Sequence, residues 1–148
     1  ENQCALDFNQ EGVYLTSRLV SGSFPDYEQI IPKEYVSHAT LLKNDLQNAF
    51  KKTSVFLNKF LQVSLTLTNK ALTVSSQNNE VGHITDTMNA VVSGEELSLN
   101  FNQNYVIEPL SHITDDSIIL NFAGIGRPLV ITGANDKSLR YLVMPMNR

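Results

Sequence analysis

The residues of this chain whose side chains can do chemistry are three histidines, one cysteine, an adjacent pair of aspartates and a cluster of lysines. A catalytic or metal centre needs such groups to converge. His38, His83 and His112 stand far apart, with no i, i+4 pair and no cysteine partner, so their spacing does not fit a zinc site. They read as exposed or singly hydrogen-bonded imidazoles. Asp115-Asp116 falls where a helix should turn into a strand, a position at which aspartate serves local hydrogen bonds. Cys4 has no second cysteine to pair with, which excludes an intrachain disulfide and a thiolate zinc site and suits a reducing compartment. Gly124-Ile125-Gly126 looks superficially like a phosphate loop, yet Arg127-Pro128 and another strand follow it where a helix N-terminus would have to begin. It reads as a hairpin loop. No Gly-x-Ser-x-Gly elbow presents a nucleophile. None of these groups, by type and spacing, points to a convergent catalytic or metal centre.

The lysines carry more information. Residues 33–70 hold Lys33, Lys43, Lys51, Lys52, Lys59 and Lys70 against only Glu34 and Asp45, whereas residues 71–148 are net acidic. Lys51 and Lys52 fall on the polar side of a helix whose apolar stripe contains Leu46 and Phe50. Such a face is either simply solvated or loosely attractive to phosphates, for which lysine point charges suffice. The C-terminal run Tyr141-Leu142-Val143-Met144-Pro145-Met146-Asn147-Arg148 is unusually apolar for a terminus, with two methionines flanking a proline. Adaptable thioethers fit either core packing or a groove for a partner's apolar side chains.

The elements that must position these groups follow from patterning. The 148 residues are 42% hydrophobic and 18% charged, which excludes a disordered chain and fits a folded, soluble protein. The net charge of -4 argues against a protein that coats nucleic acid over its whole surface. All of that negative charge falls in residues 1–32; residues 33–148 are balanced. No apolar run approaches the ~18 residues of a membrane helix and no secretory leader is present, so a cytoplasmic protein is expected. The chain starts at Glu1 without a methionine, which reads as a processed chain or a piece of something longer.

Cys4, Leu6 and Phe8 alternate as a strand, Asn9-Gln10-Glu11-Gly12 reads as a turn, and a second strand runs on towards Val20. Gly22 to Pro32 then reads as a connector whose Gly and Pro break any regular element. From Lys33 the order is strand (38–42), helix and three strands (61–68, 71–76, 80–92). Asn44 and Gln47 have the spacing of a capping box for that helix, whose stripe is Leu46, Ala49, Phe50, Thr53 and Phe56. The second half repeats the order: a strand through Leu97, Leu99 and Phe101, a helix capped by Asn102 and reaching Ile113, then strands at 117–122, 129–132 and 139–144. Pro109 should bend or shorten the second helix. The expected fold is α+β, a duplicated strand-helix-three-strand unit with both helices packed on one face of antiparallel sheet.

Three stretches, GSFPDYEQIIP from Gly22, FNQNYVIEPL from Phe101 and the terminal YLVMPMNR, resemble the third domain of the bacterial DNA polymerase III beta subunit, the sliding clamp. The resemblance covers nearly the whole chain, since the first twenty residues also resemble the last hairpin of that family's middle domain. It implies a DNA clamp fold in which residues 1–32 are the middle-domain remnant plus linker and residues 33–148 the complete third domain. It further implies a non-catalytic processivity factor, an accessory subunit of a DNA-directed DNA polymerase holoenzyme, that joins as a homodimer ring around duplex DNA. Polymerase, clamp-loader and repair proteins would dock peptides in a hydrophobic pocket between the middle and last domains. Carried over by position, that pocket takes Pro25, Gln29, Ile30, Asn102, Tyr105, Leu142, Met144, Pro145, Met146 and Arg148. Lys51 and Lys52 would face DNA, and Val55 and Phe56 the neighbouring subunit. The alternatives are an unrelated α+β protein-interaction module with no DNA role and, weaker still, a hydrolase using His83 or Asp115.

Overall fold

Less and more exposed positions alternate along most strands of the larger part of the chain, and that alternation sets which face of each sheet is turned inward. The computed structural model describes residues 3–8 and 12–146. Its elements are β1 (Gln3–Phe8), β2 (Val13–Arg18), β3 (Ser37–Leu42), α1 (Lys43–Thr53), β4 (Gln62–Leu67), β5 (Ala71–Asn78), β6 (Gly82–Asn89) and β7 (Val91–Gly94). They continue with β8 (Leu97–Asn102), α2 (Gln103–Ile107), β9 (Ser117–Phe122), β10 (Leu129–Gly133) and β11 (Tyr141–Val143). The chain divides into two compact units, Glu1–Ile30 and Ile31–Arg148.

In the first unit β1 and β2 form an antiparallel ribbon with Leu6 opposite Leu15, and every residue of both strands is exposed. The strand expected to reach Val20 ends at Arg18. Of the predicted turn, residues 9–11 lie outside the described residues, and Gly12 has φ +66°, a conformation glycine adopts without strain. The connector differs from expectation, because Tyr27–Ile30 form one 3-10 turn. Asp26 explains it: one carboxylate oxygen accepts the Glu28 amide at 3.2 Å and the other the Gln29 side-chain amide at 2.8 Å, capping the turn. Phe24 and Tyr27 meet edge to face at 6.2 Å.

The second unit contains two sheets, with strand orders β11-β10-β9-β3-β7 and β6-β5-β4-β8, antiparallel throughout. The duplicated order is present, with the strands of each half shared between two sheets. The strand that precedes α1 lies in the sheet of the second half, with Ala39 opposite Leu120; the strand that precedes α2 lies in the sheet of the first half, with Leu99 opposite Leu65. The run expected as one strand from 80 to 92 is divided at Ala90, whose amide donates to the Lys70 carbonyl at 3.2 Å. There the chain passes from β6, paired with β5, to β7, paired with β3. At the end of β7 Gly94 has φ +101°, and a Cβ there would overlap the Val36 carbonyl, so only glycine fits.

Both helices depart from their predicted ends. α1 follows β3 without a loop; its N-cap is Leu42, with no side-chain bond, and the Lys43 amide donates to the Asp116 carbonyl at 2.8 Å. The Asn44 capping box is therefore not used, because a tertiary acceptor satisfies the first orphan amide. Leu46, Ala49, Phe50 and Thr53 are buried as expected. Phe56 lies in a separate 3-10 turn, Ser54–Phe56, where the helical period is lost, and it is only half-buried. α2 is capped by Asn102 and ends at Ile107, passing into a 3-10 turn over Glu108–Ser111 with the buried Pro109 as its second residue. Proline lacks an amide to donate, which the first turn of such a segment does not require.

Phe50, Phe101 and Phe122 are fully buried in one core with Leu46, Leu65 and Leu120. Because each half completes the other's sheet, the second unit should unfold as one cooperative body. Replacing Phe50 or Phe122 by alanine is expected to cost about 3–5 kcal/mol each, and urea titrations read by probes in either half should shift together. Separate transitions for the two halves would contradict this.

Candidate partner-binding surface

β11 is the outermost strand of its sheet, paired with β10 through Leu142 opposite Val130. Beyond the buried Val143 the chain leaves that sheet, and the Met146 amide donates to the Asn100 carbonyl of β8 at 2.7 Å. Residues 144–146 thus cross from the edge of one sheet to the edge of the other, beside the start of α2. There Asn102 accepts the Asn104 amide at 3.0 Å, as an N-cap, and donates to the Phe60 carbonyl at 3.3 Å. The Tyr141 hydroxyl donates to Glu108 at 2.8 Å, one turn beyond Tyr105. That bond, followed by burial and the nearby Glu108 charge, raises the Tyr141 hydroxyl above its ordinary range. Tyr105 and Met144 are each 57% exposed, while Leu142, Pro145 and Met146 are half-buried. The result is an apolar strip with polar groups at its margin, the composition that small-ligand and peptide sites share.

Asn102, Tyr105, Leu142, Met144, Pro145 and Met146 therefore share one region of the second unit. Pro25, Gln29 and Ile30 belong to the first unit, where Pro25 and Ile30 are exposed and the Gln29 side chain is held by Asp26. Arg148 lies outside the described residues. An open hollow of about 880 Å³ on the second unit shares the loop of Asn58 and Phe60 with this region, is otherwise lined mostly by polar residues of β4, β5 and β6 such as Gln62, Gln77 and His83, and includes none of the C-terminal segment.

The support beneath α2 includes two features not expected from sequence. Gln103 is buried: its side-chain Oε1 accepts the Thr53 hydroxyl at 3.0 Å and its side-chain Nε2 donates to the Ser54 hydroxyl at 2.8 Å, tying α2 to the end of α1, while its backbone amide is bound separately. The signal was available, since Gln103, Val106 and Leu110 follow helical spacing and share the inward stripe. Leu61 has φ +55°, rare for a branched residue, and its carbonyl accepts the Gln103 amide at 2.8 Å. Asn58 holds that loop by accepting the Phe60 and Gln62 amides at 2.9 and 3.3 Å.

Lys51 and Lys52 are exposed on α1. Lys52 is not alone: its ammonium lies 3.0 and 3.2 Å from the two carboxylate oxygens of Asp86 on β6. Lys43 donates to the Ile113 carbonyl at 2.7 Å, and Lys59 sits over the Phe60 ring. Val55 is 65% exposed and Phe56 packs beside Gly82. His38 bonds Asn121 at 2.8 Å, one satisfied imidazole. Asp115 accepts the amides of Asn135 and Asp136 at 2.6 and 2.9 Å, so its hydrogen bonds bridge a sequence distance of twenty residues where a local turn was expected. Among the described residues no group of three His, Cys, Asp or Glu side chains is placed to hold a metal, and no helix is long and apolar enough to cross a membrane.

Two helices, two antiparallel sheets and this C-terminal crossing form the architecture of a sliding-clamp domain. The DNA polymerase III beta subunit of Thermotoga maritima superposes with a TM-score of 0.92 at 24% identity, over 99% of this chain and 40% of that one. The sliding clamp of Pseudomonas aeruginosa bound to griselimycin gives 0.85 at 26% identity, over 91% and 37%. Residues 28–147 match the family described as DNA polymerase III beta subunit, C-terminal domain, and the chain belongs to that family. It is 30% identical over 138 residues to a beta sliding clamp homolog, GriR, of Streptomyces muensis, covering 89% of this chain and 37% of the relative. It is 30% identical over 132 residues to the beta sliding clamp of Escherichia coli K12, covering 88% and 36%. The chain spans little more than a third of the length of these relatives.

The Asp115 carboxyl is held below its ordinary range, first by the Asp136 amide and then by that of Asn135; the Asp136 carboxyl is lowered first by the Ser138 amide. A depressed carboxylate contributes stability above its unfolded pKa, near 3.8, and loses it as pH falls through the lower folded value. Asp115→Asn should therefore lower the melting temperature at neutral pH and flatten its decline in acid, as followed by circular dichroism from neutral to acid pH. Melting curves parallel to those of the parent at every pH would contradict this.

Proposed function

We propose that this chain contributes the last domain of a DNA sliding clamp, a replication processivity factor that holds polymerase on duplex DNA without a catalytic centre of its own. The observation that carries the reading is the family match over residues 28–147 in a chain whose exposed Met144 and Tyr105 lie beside the Asn102 cap. Residues 1–32 are assigned to the end of the preceding domain and its linker, residues 33–148 to the third domain. The strip formed by Leu142, Met144, Pro145 and Met146 with Asn102 and Tyr105 takes an apolar peptide from polymerase, clamp-loader or repair partners; Pro25, Gln29, Ile30 and Arg148 are assigned to peptide contact by the sequence resemblance. Lys51 and Lys52 face phosphates, and Val55 and Phe56 face the neighbouring subunit of a two-subunit ring in the cytoplasm.

The test of the site is peptide binding. Tyr105→Ala or Met144→Ala should weaken a clamp-binding peptide by roughly tenfold, the loss expected for an exposed apolar anchor that becomes buried on binding. This chain by itself should bind such a peptide only weakly; submicromolar affinity, or indifference to both substitutions, would overturn the assignment. The test of the ring uses the complete subunit, which should stay on circular DNA at high salt and slide off once the circle is cut. A protein that merely interacts with DNA through its charges would dissociate from both in salt.

A further inference from the structure

Asp86 is the one acidic residue on the inward side of β6. Along this edge strand Ile84, Asp86 and Met88 occupy the less exposed positions, while His83, Thr85 and Thr87 are exposed. The side chain of Asp86 is 27% exposed, and both of its oxygens lie within 3.2 Å of the Lys52 ammonium. This is the only ion pair among the described residues. Lys51, the adjacent residue of α1, is exposed with no ion pair of its own among them.

We propose that Asp86 withholds Lys52 from the DNA backbone, so that α1 offers phosphates a single unengaged cation, Lys51, and its attraction to duplex is weak. This rests on the reading of α1 as a DNA-facing helix. A lysine neutralises a phosphate and releases its counterion only when it leaves its own carboxylate partner. An exposed ion pair competes by about 0.2–1 kcal/mol, equivalent to roughly 1.4- to 5-fold in affinity. A charge held back in this way lowers the drag on a ring that must move along DNA, while leaving topology to keep it there.

The experiment is a salt titration of binding to a short labelled duplex, using the complete subunit with Asp86→Asn, Lys51→Gln, Lys52→Gln and the Asp86→Asn/Lys52→Gln pair. Asp86→Asn should raise affinity roughly 1.4- to 5-fold and steepen the log-log salt slope by about 0.9, the increment for one added phosphate contact. That steepening should vanish when Lys52 is glutamine. An unchanged slope in Asp86→Asn, or a steepening that persists without Lys52, overturns the inference: the first because Lys52 is not released, the second because only the removal of a negative charge was felt. If Lys51→Gln leaves the slope of the parent unchanged, the helix does not face DNA, and the assignment of Lys51 and Lys52 to phosphates fails rather than the inference alone. Melting curves of each variant separate these outcomes from loss of fold.

Discussion

The exchange of lead strands between the two halves is the constraint on which the rest of the second unit depends. β3 lies beside β9 and β8 beside β4, so neither half has a complete sheet or a buried helix stripe without the other. Each side-chain face is fixed by the pairing, since a slip of one residue would turn Ala39 and Leu41, or Leu99 and Phe101, out of the core. The exchange also explains why the chain must cross at Ala90. β6 closes one sheet and β7 closes the other, and the join between them is a single residue held by the Lys70 carbonyl.

The same arrangement places the candidate partner surface. α2 begins where β8 ends, and β8 is the sheet edge to which the C-terminal segment returns through Met146. The polar groups around that junction, Asn58, Asn102 and Gln103, are all engaged by backbone or side-chain partners. Of these only Gln103 is buried, where an unsatisfied amide would be costly, and its bonds fix the geometry. Tyr105 and Met144 can therefore stay exposed on a rigid base, and a partner that covers them need not order the surface first.

Much of this was legible in the residues. Alternation marked Leu99 and Phe101 of β8 as inward, although the same pattern at Cys4, Leu6 and Phe8 falls on an exposed strand, and Asn102 was recognisable as the cap of α2 because an Asn before a helical stripe accepts from the second amide on. Pro109 announced the shortening of that helix. The capping box at Asn44 was misleading for a physical reason: local capping competes with any acceptor that tertiary structure supplies, and here the Asp116 carbonyl takes the Lys43 amide. Gln103 shows the converse, a polar residue at an inward helical position whose partners come from fifty residues away. Asp26 organised a 3-10 turn within a connector that looked irregular from its glycine and proline.

By itself the sequence determined the duplicated order of elements, the faces that must be buried and, through three matching stretches, the family to which the chain belongs. These are properties of period and local chemistry, which need no knowledge of neighbours in space. Only the tertiary structure decided which strand lies beside which, that Lys52 faces Asp86, that Asp115 holds a loop twenty residues on, and that the terminal methionines cross to β8. Periodicity tells a strand which side to bury but is silent on its partner, because every apolar face here would satisfy any other until the two sheets are assembled.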